Sequence, residues 1–229
     1  MFYTSTLEDV RRKGCRDVWN AGLVNGAVYS SNDIPFCPTT MSLPPEKLIT
    51  FEEAKISKDY KAGVMFYKDD YRFDGIKSGI WADFEKYLKI VSKFEGGVIT
   101  PDFATNRDLP DPWIRFNIYR MRACGFGFVK NGLKVCNNIR WGTEKTWEYC
   151  FDGVEKGSMV AVSTHGSIRK SDDRICFKEG FYEMIRVLEP SAILVYGNCP
   201  DDIFGDAKAA GINLITYKSE MSQRLGRRK

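Results

Sequence analysis

The fold is decided by the stretch 159–197, MVAVSTHGSIRKSDDRICFKEGFYEMIRVLEPSAILVYG. Its two ends, Met159–Ser163 and Ala192–Tyr196, are short, nearly continuous apolar runs, which is typical of strands covered on both faces. Between them an amphipathic segment begins at Ser171 and ends before Pro190. The order strand, helix, strand predicts a parallel pair joined by a right-handed crossover.

The same alternation extends along the chain from about residue 62 and predicts an α/β fold. Because the units succeed one another without a reversal of order, we expect consecutive βα units in a mostly parallel sheet, forming a partial or irregular TIM-like barrel. An open doubly wound sheet is the alternative. Six strands are predicted, and Lys47–Glu52 would add a seventh: Val64–Tyr67, Gly97–Thr100, Lys134–Arg140, Met159–Ser163, Ala192–Tyr196 and Ile212–Tyr217.

Helix boundaries are marked by caps and glycines. The pair Asp111-Pro112 predicts the start of a helix, since aspartate caps helices and proline fits the first turn. We expect this helix to end near Gly125 and Gly127, because glycine commonly terminates helices.

The composition indicates a folded core flanked by irregular ends. Proline and turn residues dominate the start of the chain, so we expect an N-terminal arm or lid over residues 1–60, an α/β core over 61–217 and a basic mobile tail over 218–229. With 43% hydrophobic and 28% charged residues, the 229-residue chain is neither disordered nor of low complexity. No long uncharged apolar window and no signal-peptide layout are present, so we expect a cytoplasmic protein without membrane contact.

The net charge of +4 lies in the tail, where five basic residues stand against Glu220 and leave the body formally neutral. A duplex-binding domain normally presents a basic face. We therefore expect weak or no duplex DNA binding by the core, and either a solvated tail or a tail that contacts nucleic acid.

Cysteine and histidine usage excludes two kinds of site. The seven cysteines include no closely spaced pair, and His165 is the single histidine, so neither a disulfide framework nor a structural zinc site is predicted. We expect free, mostly buried thiols. The cysteines are Cys15, Cys37, Cys124, Cys136, Cys150, Cys176 and Cys199.

Polar and aromatic residues follow nearly every predicted strand, at the edge where α/β folds bind ligands. Asp69 and Asp70 follow one strand and Asp102 the next, so we predict catalytic carboxylates that act as a base or hold a divalent cation. A plain turn is the alternative for each aspartate. Arg140 is predicted to bind an anion and Trp141 to stack on a ligand. The alternative is that Arg140 forms an ion pair over the aromatic ring of Trp141.

The loop that follows Met159–Ser163 combines hydroxyls, a glycine and cations. We predict that Ser163, Thr164 and His165 bind a ligand phosphate together with Tyr196 from the next strand end. The loop has neither the P-loop nor the G-x-G-x-x-G pattern, and a structural or surface histidine is the alternative for His165.

Five of these segments, in this order, resemble a family of functionally uncharacterised proteins encoded by bacteriophages, prophages and other mobile elements. The resemblance covers about residues 32–217 and implies a phage or mobile-element origin, without carrying over a catalytic role. The segments are FYKDDYRFD (Phe66–Asp74), VITPDF (Val98–Phe103), IRWG (Ile139–Gly142), CFDGVEKGSMVAVSTHG (Cys150–Gly166) and ILVYG (Ile193–Gly197).

Two functions follow from the residues. The first is a ligand-binding site, with or without catalysis, for a phosphorylated or nucleotide-like small molecule at the strand ends, with a divalent cation left open as cofactor. The second is a nucleic-acid-binding accessory protein or an inhibitor of a host function that uses the α/β domain as a scaffold.

Overall fold

A computed structural model describes residues 3–4, 17, 20–75, 77–220 and 222. Cys15 and most of the predicted basic tail, Met221 and residues 223–229, lie outside the described residues. Among the described residues, no helix is long and apolar enough to cross a membrane.

Seven parallel strands form one sheet in which each strand pairs with the next along the chain, and the sheet curls into a half-barrel. This confirms the predicted partial barrel. Its strands are β3 (Leu48–Thr50), β4 (Gly63–Met65), β5 (Val98–Ile99), β6 (Val135–Asn138), β7 (Met159–Ser163), β8 (Ala192–Tyr196) and β9 (Leu214–Tyr217). A separate antiparallel pair joins β1 (Tyr3–Thr4) to β2 (Val28–Tyr29).

Helices connect these strands. The predicted seventh strand contributes β3 but ends at Thr50, because the Thr50 hydroxyl accepts from the Glu53 amide and the Glu53 carboxylate accepts from the Thr50 amide, which caps α1. Thus β3 joins the sheet from within the predicted arm, whose boundary at residue 60 stays a prediction. The helices are α1 (Phe51–Ala54), α2 (Phe84–Val91), α3 (Asp111–Lys130), α4 (Trp147–Cys150), α5 (Ser171–Leu188) and α6 (Asp201–Ala209).

The prediction that Gly125 and Gly127 end a helix is wrong, because α3 continues through both to Lys130. The glycines serve close packing instead. A Cβ atom on Gly125 would lie 2.4 Å from Cys37 Sγ, and one on Gly127 would lie 2.3 Å from Leu23 Cδ1. The backbone of α3 can therefore approach the N-terminal residues only where side chains are absent.

Alternation along the strands divides the core into two layers. In β7, Val160 and Val162 belong to the layer between sheet and helices, whereas Met159 and Ala161 belong to the layer on the other face of the sheet. Tyr67 and Tyr196 also belong to this second layer, which fills the inside of the half-barrel. The carboxyl ends of the strands thus lie above this packed apolar layer.

Candidate functional site

A groove of about 900 Å³ opens at the carboxyl edge of the sheet, among the loops that follow β4, β5, β6 and β7. Parallel strands bring their carboxyl ends to the same edge, and the groove lies where ligand sites of α/β folds are found. It is lined by six of the predicted site residues: Asp69, Asp70, Asp102, Arg140, Trp141 and His165.

Asp102 lies at the bottom of the groove on the loop after β5, and its side chain is 12% exposed. Its Oδ1 atom accepts a hydrogen bond from Asn138 Nδ2 at 2.7 Å. Asn138 in turn accepts a hydrogen bond at 3.0 Å from the hydroxyl of Tyr67. Burial raises the pKa of Asp102, while the Arg140 cation and the hydrogen bond from Asn138 oppose that shift.

Arg140 follows β6 and reaches the same point. Its Nε atom lies 3.4 Å from Asp102 Oδ1, and its Nη1 atom donates to Ser167 Oγ at 3.1 Å. The contact with Asp102 is within ion-pair distance but is not aligned as a hydrogen bond, so the enclosed Nε–H has no acceptor among the described residues. A guanidinium with unused donors is suited to an anion.

Asp70 begins a short 3-10 helix after β4, and its Oδ2 atom accepts the Ala104 amide at 3.0 Å. This hydrogen bond ties the β4 loop to the β5 loop. The pKa of Asp70 is raised to about 6, chiefly by burial and also by the charges of Asp102 and Asp74, against the lowering effects of the Ala104 hydrogen bond and the Arg140 charge. Asp70 therefore changes its protonation state close to neutral pH.

The three aspartates are not equivalent, since Asp69 is exposed while Asp70 and Asp102 are partly buried. In the described parts of the chain, no group of three or more histidine, cysteine, aspartate or glutamate side chains is arranged to hold a metal ion. The predicted roles of these carboxylates, as a base or as ligands of a divalent cation, stay predictions.

The loop after β7 brings His165 to the groove, while its neighbours support the loop. Burial lowers the pKa of His165, and the cations Arg169 and Lys68 lower it further. Ser163 Oγ accepts the His165 amide at 3.1 Å, and Thr164 Oγ1 donates to the carbonyl of Asn198 at 2.8 Å. Ser163 and Thr164 are both buried and neither lines the groove. In this structure their hydroxyls support the loop, and their predicted contact with a ligand stays a prediction.

Two predicted aromatic contacts also lie largely beneath the surface. The ring of Tyr196 stacks on that of Tyr67 at 5.2 Å, and its hydroxyl accepts the Glu220 amide. Trp141 packs against Phe177, and its indole N–H donates to the carbonyl of Cys176 at 3.2 Å. Tyr196 lies outside the groove lining, whereas Trp141 contributes to its wall.

Ion pairs join the loops around the rim. Arg107, on the loop after β5, contacts Asp173 at 2.9 Å and Asp172 at 3.2 Å in the first turn of α5. Lys68 pairs with Glu220 at 2.8 Å. These contacts hold the β4, β5 and β7 sides of the groove together with the chain that follows β9.

Sequence reasoning missed two residues. Asn138 connects Tyr67 to Asp102 through its side chain, and Arg122 donates a hydrogen bond to the carbonyl of Asn138. Arg122 is fully buried and donates to the carbonyls of Asn138, Cys150 and Asp152 at 2.9, 3.2 and 3.0 Å. A polar pair, Asn137-Asn138, at the end of an otherwise apolar strand was the available signal, since a buried amide needs partners.

Comparison with known proteins places the chain beside phage proteins. A family model described as domain of unknown function DUF4417 matches residues 27–218. The chain is 35% identical over 132 residues to the "Gene 1 protein" of Mycobacterium phage D29, covering 58% of this chain and 47% of that protein. It is 34% identical over 151 residues to the "Gene 1 protein" of Mycobacterium phage L5, covering 63% and 64%.

The matched segment therefore spans about half to two thirds of the length of these relatives. No solved structure matches the chain.

Proposed function

The chain belongs to the DUF4417 family of unknown function, and from the groove at its strand ends we propose that it binds a phosphorylated or nucleotide-like small molecule. The predicted resemblance to an uncharacterised phage protein family is confirmed. Neither the family description nor the relatives' names state an activity, so support for the proposal comes from the site itself.

The observation that carries the proposal is the state of Arg140. Its guanidinium lies at the bottom of the groove with an enclosed Nε–H that lacks an acceptor among the described residues. The Nη2 group of the same guanidinium donates no hydrogen bond to the described residues and is not enclosed, so it can donate to an anionic acceptor in the groove. Arginine also offers a planar set of donors that matches phosphate oxygens.

The surroundings of Arg140 add positive charge without closing the site. Lys68, Arg169 and Lys170 line the same groove, as does His165. Among the described residues Arg169 and Lys170 form no ion pair, so both can approach a ligand phosphate. The carboxylates of the same groove, among them Asp102 beside Arg140, would repel a ligand that carries negative charge along its whole length.

A proton-transfer role for Asp70 is the catalytic part of the proposal. Its pKa of about 6 allows it to accept or donate a proton near neutral pH. Asp69 and Asp102, the other predicted catalytic carboxylates, flank it in the groove. Phosphate ester chemistry at this site would use Arg140 for the anion and Asp70 for the proton.

The host cytoplasm is the proposed location. All six cysteines described by the structure, from Cys37 to Cys199, are free thiols. Free thiols are typical of a reducing compartment, and soluble phosphorylated metabolites are cytoplasmic ligands.

A nucleic-acid-binding accessory role is the second candidate, and the exposed ring of Tyr71 beside Asp70 favours it, because exposed aromatics stack on single-stranded bases. In this case binding to single-stranded DNA would depend steeply on salt and would weaken on deletion of Leu225–Lys229. An inhibitor that uses the domain as a scaffold would instead bind a host protein. It would bind neither a phosphorylated small molecule nor single-stranded DNA.

The test of the first proposal is a thermal-shift screen with nucleotides, dinucleotide signals, sugar phosphates and divalent ions. We expect one phosphorylated class to raise Tm by several degrees, and Arg140→Gln to abolish the shift while the variant stays folded. Arg186→Gln is the matched control, since Arg186 is exposed on α5 away from the groove and pairs with Glu183. A shift that persists in Arg140→Gln would contradict the proposal.

A further inference from the structure

The two oxygens of Asp102 have different surroundings. Oδ1 receives the Asn138 amide at 2.7 Å and lies 3.4 Å from the Nε atom of Arg140. Oδ2 accepts no hydrogen bond from the described residues and is not among the enclosed polar atoms. Because Asp102 lines the groove, the unused Oδ2 atom is open to a ligand.

Asn138 fixes which oxygen is free. A carboxylate only accepts hydrogen bonds, so the Asn138 amide nitrogen must face Asp102 and its oxygen must face the Tyr67 hydroxyl. The backbone of Asn138 is held as well, since its amide donates to Thr100 Oγ1 at 2.8 Å and its carbonyl accepts from Arg122 at 2.9 Å. With all of its polar groups engaged, Asn138 holds the Asp102 carboxylate in one orientation.

Arg140 and Asp102 therefore present two complementary functions side by side. Arg140 offers donors to an anion, and Asp102 Oδ2 offers an acceptor to a neutral donor group. Burial raises the pKa of Asp102, while Arg140 and the hydrogen bond from Asn138 favour its ionised form and oppose that shift. In the ionised form Oδ2 is an acceptor. A ligand that satisfies both residues carries a phosphate and, next to it, a hydroxyl group.

We propose that Asp102 Oδ2 accepts a hydrogen bond from a ligand hydroxyl, so that the site takes hydroxyl-bearing phosphate esters in preference to bare or alkyl phosphates. This inference rests on the proposed function, because it places the ligand phosphate at Arg140. It assigns Asp102 to ligand selection and makes Asn138 a positioning residue for it.

The experiment compares three probes by calorimetric titration of the full chain: glycerol 3-phosphate, propyl phosphate and inorganic phosphate. Propyl phosphate has the same carbon chain as glycerol 3-phosphate but no hydroxyl. We expect glycerol 3-phosphate to bind about tenfold more tightly than propyl phosphate, since a hydrogen bond to a charged acceptor is stronger than one between neutral groups.

Substitution then locates the effect. In Asp102→Asn the side-chain oxygen must stay on Asn138, so an NH₂ group replaces the charged acceptor and the preference should fall below about threefold. Asp206→Asn is the matched control, because Asp206 is an exposed carboxylate on α6 outside the groove lining and should leave the preference intact. If Asp102→Asn does not fold, the carboxyl ¹³C resonance of Asp102 in the unaltered protein gives the same information, because it should move with glycerol 3-phosphate and not with propyl phosphate.

The outcomes separate this inference from the proposed function. Equal binding of glycerol 3-phosphate and propyl phosphate, or a preference that survives in Asp102→Asn, would overturn the inference while leaving anion binding at Arg140 in place. Absence of binding by all three probes would overturn the inference together with the phosphate-binding proposal.

Discussion

At the scale of single residues, Asp70 links the groove to the pH dependence of folding. Its pKa rises from 3.8 to about 6 on folding, so the folded state holds the proton more tightly than the unfolded chain. The contribution of this proton to stability is complete below about pH 4 and is lost as pH rises through about 6.

We predict that Asp70→Asn removes this loss, since asparagine keeps an oxygen for the Ala104 amide without a charge. Relative to the unaltered protein, the variant should gain about 1–2 kcal/mol between pH 4 and pH 7, a figure reduced for partial exposure. Urea unfolding at several pH values measures it. A stability difference that does not change with pH would contradict the raised pKa.

The residues of the groove were partly predictable from sequence. Asp70, Asp102 and Arg140 follow apolar runs directly, so their place at the carboxyl edge followed from strand order. The orientation of Thr164 and Tyr196 did not follow, because residues at strand ends can point into the groove or below it depending on the local turn. The role of Asn138 depends on partners 36 and 71 positions away, which no local pattern reveals.

At the scale of elements, the sequence predicted the strands and helices but misplaced some of their ends. β7 and β8 begin and end as predicted, because their apolar runs are sharply bounded. The end of α3 was misplaced, since Gly125 and Gly127 carry the local signal of a helix terminus while their function is tertiary packing. The tendency of glycine to end a helix is overridden where the neighbouring chain leaves no room for a side chain.

We predict opposite effects for the same substitution in two helices. Gly125→Ala should destabilise the protein by about 1–3 kcal/mol despite the better helix propensity of alanine, because its Cβ would lie 2.4 Å from Cys37 Sγ and 2.7 Å from Thr100 Cγ2.

Gly205→Ala is the control in α6, where the nearest atom to the new Cβ is 3.8 Å away. It should stabilise by up to about 1 kcal/mol. Chemical denaturation of both variants makes the comparison, and stabilisation by Gly125→Ala would show that α3 is not packed as closely as described.

At the scale of the whole molecule, the half-barrel separates stability from binding. The two apolar layers on either face of the sheet carry the packing, while the groove residues lie on loops beyond the strands. The sequence predicted this division through strand order alone. Whether the sheet closed did not follow, because the count of strands depended on the three-residue β3 within a proline-rich segment.

The most direct test for a ligand site at the strand ends is hydrogen–deuterium exchange with and without the phosphorylated probe that gives the largest thermal shift. We predict slower exchange in the four loops that line the groove, at residues 68–72, 102–108, 139–142 and 165–170, with little change in α2 and α6. Protection elsewhere, with these four loops unchanged, would contradict a ligand site at the carboxyl edge of the half-barrel.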